Sequence, residues 1–262
     1  MGVCQILNPL SLMINPIPMK IKLILSVLTI STLLSFAPPK TGEDIVKMMY
    51  NRYAGKWHRT LTFTQKTERY RNDSLKSTQT WHEAMLAPDK LRIDIEPLAN
   101  GNTIIFRGDS TYNFRNGQLR SANKDENDLI FLLGGLYFYP WYAVVAKLKS
   151  GGYNLSKSYE TTWKDKPVYV IGSNNKDDLT SNQLWVDKKE LYLVRMIEQT
   201  KGTKEECIFD DHVKIGGGWS ETKAAFYFGG KLLQVETYSD YKEEPDLDER
   251  IFDPKKYEKR KL

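Results

Sequence analysis

The sequence predicts a mainly β protein, a large antiparallel sheet with a helical interruption, and three observations carry that prediction. Among its 262 residues are 15 Tyr, 10 Phe and 6 Trp, side chains that favour pleated, half-buried surfaces over helices. Much of the chain alternates apolar with polar residues at a period of two, and clusters of turn-forming residues separate the runs. One stretch, Leu129 to Ala146, carries no charge and breaks the alternation. With 40% hydrophobic and 27% charged residues, the chain falls outside the disordered, collagen-like and multi-span membrane classes, and one domain is expected.

The first element is a leader. From Met19 the chain reads Met-Lys-Ile-Lys, followed by an uncharged run from Leu23 to Pro39 that includes Ser35-Phe36-Ala37, a small-x-small cleavage pattern. Residues 1–37 are read as a signal peptide, with translation starting at Met19 because residues 1–18 carry no charge. The apolar core is shorter than the roughly 18 residues of a membrane span, and an uncleaved N-terminal anchor is the alternative. No Cys closes the run, so no lipid attachment is expected and residues 38–262 form one exported domain.

That domain opens with Thr41-Gly-Glu-Asp44, a capping-box-like start, and with Ile45, Met48, Met49 and Tyr53 at helical spacing before Gly55. From Trp57 the period becomes two: Trp57, Leu61 and Phe63 share one face, and Thr60, Thr62 and Thr64 the other. Trp81 and Met85 alternate likewise. Beyond a turn at Pro88-Asp89, Leu91, Ile93 and Ile95 alternate with Arg92 and Asp94, and Ile104–Arg107 and Thr111–Arg115 form a hairpin around Gly108-Asp109. Residues 125–150 are the helical insertion, which Gly134, Gly135 and Pro140 divide into short helices. Strand character returns at Val168–Ile171, Gln183–Asp187, Leu191–Glu198, Glu206–Ile215, Trp219–Phe228 and Lys231–Tyr241, with hairpin chemistry such as Gly216-Gly-Gly218 and Gly229-Gly230 between them. About 10–11 strands are expected.

Catalytic patterns are missing from the sequence. His58, His82 and His212 stand alone, and no His-Glu-x-x-His, nucleophile elbow, phosphate loop or dinucleotide-binding glycine pattern occurs. Cys4 and Cys207 are the two cysteines; with Cys4 in the leader region, neither a disulfide nor a cysteine metal site is expected. The formal charge of +5 is too mild for a nucleic-acid binder. No enzyme, cofactor or metal is predicted. A hydrolase would need His82, Asp94 and Asp109 to converge in one polar pocket.

Several segments resemble the periplasmic lipoprotein carriers, the LolA-like and LolB-like proteins. Leu61-Thr-Phe-Thr-Gln-Lys66 is similar to the family's Phe-Thr-Gln strand, Pro88-Asp-Lys-Leu-Arg-Ile-Asp94 to its Leu-Arg hairpin, and Phe106-Arg-Gly-Asp-Ser-Thr-Tyr112 to its Asp-Gly-Lys segment. Trp185–Arg195 and Ile251-Phe-Asp-Pro254 resemble the late hairpin and C-terminal motif of the wider superfamily. Position 87, where the resemblance implies a basic lid-holding residue, is Ala87. The resemblance implies an unclosed antiparallel half-barrel covered by helices, with a hydrophobic cavity for acyl chains.

On that reading, Leu61 and Phe63, Trp81 and Met85, Leu91 and Ile93, and Ile104 and Phe106 line the sheet side of a lipid cavity. Phe131, Leu132, Leu136 and Trp141 line the lid. The expected function is a soluble, monomeric periplasmic carrier for acyl chains of lipoproteins or other lipids, with an inner-membrane exporter and an outer-membrane acceptor as partners. The alternative is an envelope signalling or assembly module on the same fold that binds a lipoprotein or protein partner without transport.

Overall fold

Thr41 starts the first element of the computed structural model, which describes residues 39–258. Its hydroxyl accepts from the Asp44 amide at 3.1 Å while the Asp44 carboxylate accepts from the Thr41 amide at 2.9 Å, a reciprocal box that begins helix α1 (Gly42–Tyr53). Ile45, Val46, Met49 and Tyr53 are its buried stripe. Past the helix end, Gly55 takes a φ of +73°, which costs glycine little. The expected leader, residues 1–37, lies outside the described residues.

A meander follows: β1 (Thr60–Arg71), β2 (Ser74–Leu86), β3 (Lys90–Ile95), β4 (Asn102–Arg107), β5 (Ser110–Arg115) and β6 (Gln118–Lys124). The insertion then supplies α2 (Asp128–Leu132), a 3-10 turn at Gly135–Phe138 and α3 (Trp141–Ser150), a broken helix as its glycines and proline require. The second half holds β7 (Ser158–Trp163), β8 (Lys166–Ile171), β9 (Gln183–Asp187), β10 (Leu193–Thr200), β11 (Thr203–Asp210), β12 (Val213–Ile215), β13 (Gly218–Ser220), β14 (Lys223–Phe228) and β15 (Lys231–Lys242).

Thirteen strands form one antiparallel sheet in the order β6-β5-β4-β3-β2-β1-β15-β14-β11-β10-β9-β8-β7, and β12 and β13 pair as a separate ribbon. The long final strand β15 returns between β14 and β1 and joins the two halves. The ends β6 and β7 do not pair, so the sheet remains an open half-barrel.

The strand count exceeds the expected 10–11 for physical reasons. Edge strand β6 is exposed along nearly its whole length, so it shows no apolar alternation. The expected strand Glu206–Ile215 divides at Asp211, which holds a φ of +55°, and Trp219–Phe228 divides where Thr222 donates its hydroxyl to the Asp211 carbonyl at 2.8 Å.

The two faces are covered differently. Over β8–β11, the helices α1 and α3 build a core in which Val144, Leu148, Ile171, Val186 and Phe209 are almost completely buried. On the convex side of β2–β5 the C-terminal segment is fastened down. Phe252 is fully buried against Ala84, Ile105 and Phe114, and Tyr257 stacks on Phe114 with ring centroids 4.0 Å apart. Arg92 ties it by donating to the carbonyls of Ile251 at 3.1 Å and Glu258 at 2.7 Å, while its Nε meets the Asp94 carboxylate at 3.0 Å.

Candidate functional site

Strand register decides what faces the concave side. Leu61, Met85, Leu91 and Phe106 stand in one row across β1–β4, and Phe63, Glu83, Ile93 and Ile104 in the next, with Trp81 opposite Gln65 beyond them. Because successive side chains alternate faces, these rows gather every second residue of four strands onto one surface. That surface encloses one side of a cavity of about 320 Å³, at the lower end of the roughly 300–1,000 Å³ typical of small-molecule pockets.

All eight sheet-side residues named from the sequence, Leu61, Phe63, Trp81, Met85, Leu91, Ile93, Ile104 and Phe106, line this cavity. The lid side differs from the expectation. Leu129, Ile130 and Leu133 of the α2 segment face the cavity, together with Asn127. Phe131, Leu132 and Leu136 turn instead into the core with α1 and α3, and Trp141 packs on Tyr50 with ring centroids 5.4 Å apart. The cause is helical geometry: positions i, i+1 and i+4 share one face, so Leu129, Ile130 and Leu133 point together while Phe131 and Leu132 point away.

One wall of the cavity is acidic. Glu83 comes from the last third of β2, Glu221 from the β13–β14 connection and Glu236 from β15, and all three line the same space as Gln65, Gln234, Tyr238 and Tyr241. A bulge in β15 places both tyrosines there. Thr62 pairs with Lys242 but Thr64 pairs with Ser239, so β15 carries one extra residue at Asp240, whose φ is +57°. Tyr238 and Tyr241, three positions apart, thereby share a face, and their rings lie 5.8 and 5.2 Å from that of Phe63.

The three carboxylates are unequally satisfied. Glu236 accepts from Gln234 Nε2 at 2.5 Å and from the Tyr238 hydroxyl. Glu83 is 97% buried by exposure of 3%, and its Oε1 has no hydrogen-bond partner. Burial pushes Glu83 well above the ordinary carboxylate range, and the neighbouring charges of Glu236 and Glu221 push it further. Burial likewise raises Glu221 to about 7 and Glu236 above its usual value. On the same wall, burial depresses His58 to about 4, although its Nδ1 lies 3.4 Å from the Ile215 carbonyl. Among the described residues, no group of three or more His, Cys, Asp or Glu side chains is arranged to hold a metal ion.

Sequence reasoning passed over these acids. Glu83 was accessible to it, since it sits between Trp81 and Met85 in the same alternation that picked out both. Glu221 and Glu236 carry no comparable signal, because a turn and a bulge deliver them. The hydrolase constellation does not line the cavity: Asp94 is paired with Arg92, His82 Nε2 meets Glu96 at 2.8 Å, and Asp109 accepts from Ser110 at 2.8 Å in the β4–β5 turn.

No family model and no curated protein matches the sequence. Solved structures do. A DUF1329 family protein from Desulfovibrio piger aligns with a TM-score of 0.56 and 14% identity over 82% of this chain and 96% of that one. A LolA superfamily protein from Nitrosomonas europaea gives 0.54 and 14% over 82% and 98%. A putative outer membrane lipoprotein-sorting protein domain from Vibrio parahaemolyticus gives 0.56 and 12% over 82% and 97%. The open half-barrel with a helical cover is a LolA-like fold. Among the described residues, no helix is long and apolar enough to cross a membrane.

Proposed function

We propose that the protein is a periplasmic carrier or binding protein that shelters acyl chains of a lipoprotein or other lipid between the concave sheet and the α2 segment. The observation that carries this reading is the cavity itself, a space left between eight apolar side chains of the sheet and Leu129, Ile130 and Leu133 of the cover. Each CH₂ removed from water is worth roughly 0.8 kcal/mol, so a chain segment of about ten carbons gains on the order of 8 kcal/mol from such shelter. Aromatic and branched walls supply that area with few directional demands, which suits chains of varied length. The LolA-like neighbours support the ligand class, and the leader supports export. Handover from an inner-membrane exporter to an outer-membrane acceptor, by a monomer, completes the proposal.

The test is native mass spectrometry of the mature protein purified from its own envelope, with lipid analysis of the solvent-released material. Acyl species at near-stoichiometric occupancy are the expected result. An empty protein that also takes up no fluorescent fatty acid would remove the shelter reading and bring the protein-binding module forward.

A further inference from the structure

An apolar shelter needs no carboxylates, yet three acids from three separate segments meet in this one. Glu83 stands in the row Phe63–Glu83–Ile93–Ile104, flanked by apolar side chains across β1–β4. Glu83 lines the cavity, and its buried Oε1 has no hydrogen-bond partner. Leaving a buried carboxyl oxygen unmatched costs about 1–3 kcal/mol or more, and a glutamine or leucine would fit the same space. Among the described residues, no Lys or Arg lines the cavity. The cation whose charge reaches the group is Arg69, which acts on Glu236 and stands over the Trp81 ring at 5.7 Å from its centroid.

From this geometry we infer that the cavity takes a single-chain amphiphile with a cationic amine head, the head set against Glu83, Glu221 and Glu236 and the tail laid along Leu61, Met85, Leu91 and Phe106. The inference rests on the shelter reading and adds the polar end of the ligand. An ammonium supplies three donors and a positive charge, and so satisfies an orphan acceptor and favours the ionised form of the acids around it. A fatty acid head would add a fourth acidic group to the same wall and bring no cation to pair with it. At roughly 30 Å³ per carbon, similar to the volume share of one water, a cavity of about 320 Å³ holds about ten carbons. One chain fits that room.

The groups facing the head come from every surrounding element: Glu83 on β2, Glu221 before β14, Glu236, Tyr238 and Tyr241 on β15, His58 before β1, and Arg69 at the far end of the β1 face. Burial holds the three acids toward their protonated forms, so an incoming ammonium expels protons. A neutral head of the same chain length does not.

The experiment is calorimetric titration of the mature protein at about pH 7 with decylamine, decanol and decanoate, each below its aggregation threshold, in two buffers of different ionisation enthalpy. Decylamine is expected to bind about tenfold or more tighter than either other probe and to release protons. In Glu83→Gln and in Glu236→Gln that preference is expected to fall to about threefold or less. Both variants remove a buried ionisable group without changing shape, and their thermal midpoints report that they fold. Equal binding of all three probes would overturn the head-group assignment and leave the shelter standing. A tenfold preference that persists in both variants would also overturn it. Binding of none of the probes would remove the shelter and this inference together.

Discussion

Glu221 shows how one side chain ties the cavity to solution conditions. Burial raises its carboxyl from 4.5 to about 7, so between about pH 4.5 and 7 the folded protein keeps a proton that the unfolded chain has released. The stabilisation from this group is therefore complete below pH 4.5 and is lost as pH rises through 7, a change of about 3 kcal/mol. Glu221→Gln imitates the protonated form. It is expected to raise the unfolding free energy by about 3 kcal/mol at pH 8 and by little at pH 4.5, read from urea titrations at both values; an equal effect at the two would contradict the assignment. The same comparison separates Glu221 from His58 and His212, which burial lowers to about 4 and whose stabilisation is lost in the opposite direction, as pH falls from 6.5 through 4. Arg92 is the other residue on which much rests. Arg92→Ala removes the guanidinium from a buried Asp94 and unties two carbonyls of the C-terminal segment. A loss of about 3–5 kcal/mol is expected in the same urea titration, and a loss below 1 kcal/mol would mean that Phe252 and Tyr257 hold the segment unaided.

The cover is an element defined by its breaks. Gly134 and Gly135 lie where a side chain has no room: a Cβ on Gly135 would meet the backbone carbonyls of Pro88 and Ile130, and one on Gly134 would meet the Trp57 ring. The α2 segment is thus pinned to the β2–β3 turn by backbone contact at the place where position 87 offers only Ala87. Gly135→Ala is expected to lift the cover, costing about 1–3 kcal/mol in stability and several-fold in decanol affinity. Unchanged values in both measurements would show that the cover yields without loss. This element also marks a limit of reading by sequence. Gly134, Gly135 and Pro140 made the breaks legible, yet Leu129-Ile-Phe-Leu-Leu133 is apolar on every side, so no polar face says which residues meet the cavity. In β1–β4 a period of two carries more of the answer: it sets the inward face through Leu61, Phe63, Trp81, Met85, Leu91 and Ile93, and strand pairing carries it on to Ile104 and Phe106 although Ile105 between them is apolar as well. Edge strand β6 escapes because its side chains are exposed along nearly the whole strand.

At the scale of the whole sheet, one half is solid and the other hollow. In β9 every residue is buried, with α1 and α3 above it and, below, the Trp163 and Trp185 rings enclosing Arg195 at 4.4 and 4.5 Å. In β1–β4 the concave face borders open space and the convex face carries the C-terminal segment. Local periodicity cannot report this division, since it depends on β15 returning between β14 and β1 and on a bulge that turns Tyr241 inward. For the same reason the acidic wall is invisible in the sequence, being assembled from Glu83, Glu221 and Glu236 across more than half the chain. The division predicts where the protein opens. Regions with few packed apolar partners unfold locally at lower free energy than solid cores, so amides of α2 are expected to exchange with solvent faster than those of β9 and β10. A ligand that fills the cavity supplies the missing contacts, stabilising by about 2.7 kcal/mol at 100 times its dissociation constant. Hydrogen exchange with and without decylamine is therefore expected to show slowing confined to α2 and the cavity-facing strands, with β9 and β10 unchanged. Uniform slowing across both halves would mean that the sheet opens as one unit and that the cover is no separate door; no slowing at α2 would place the chain somewhere other than beneath it.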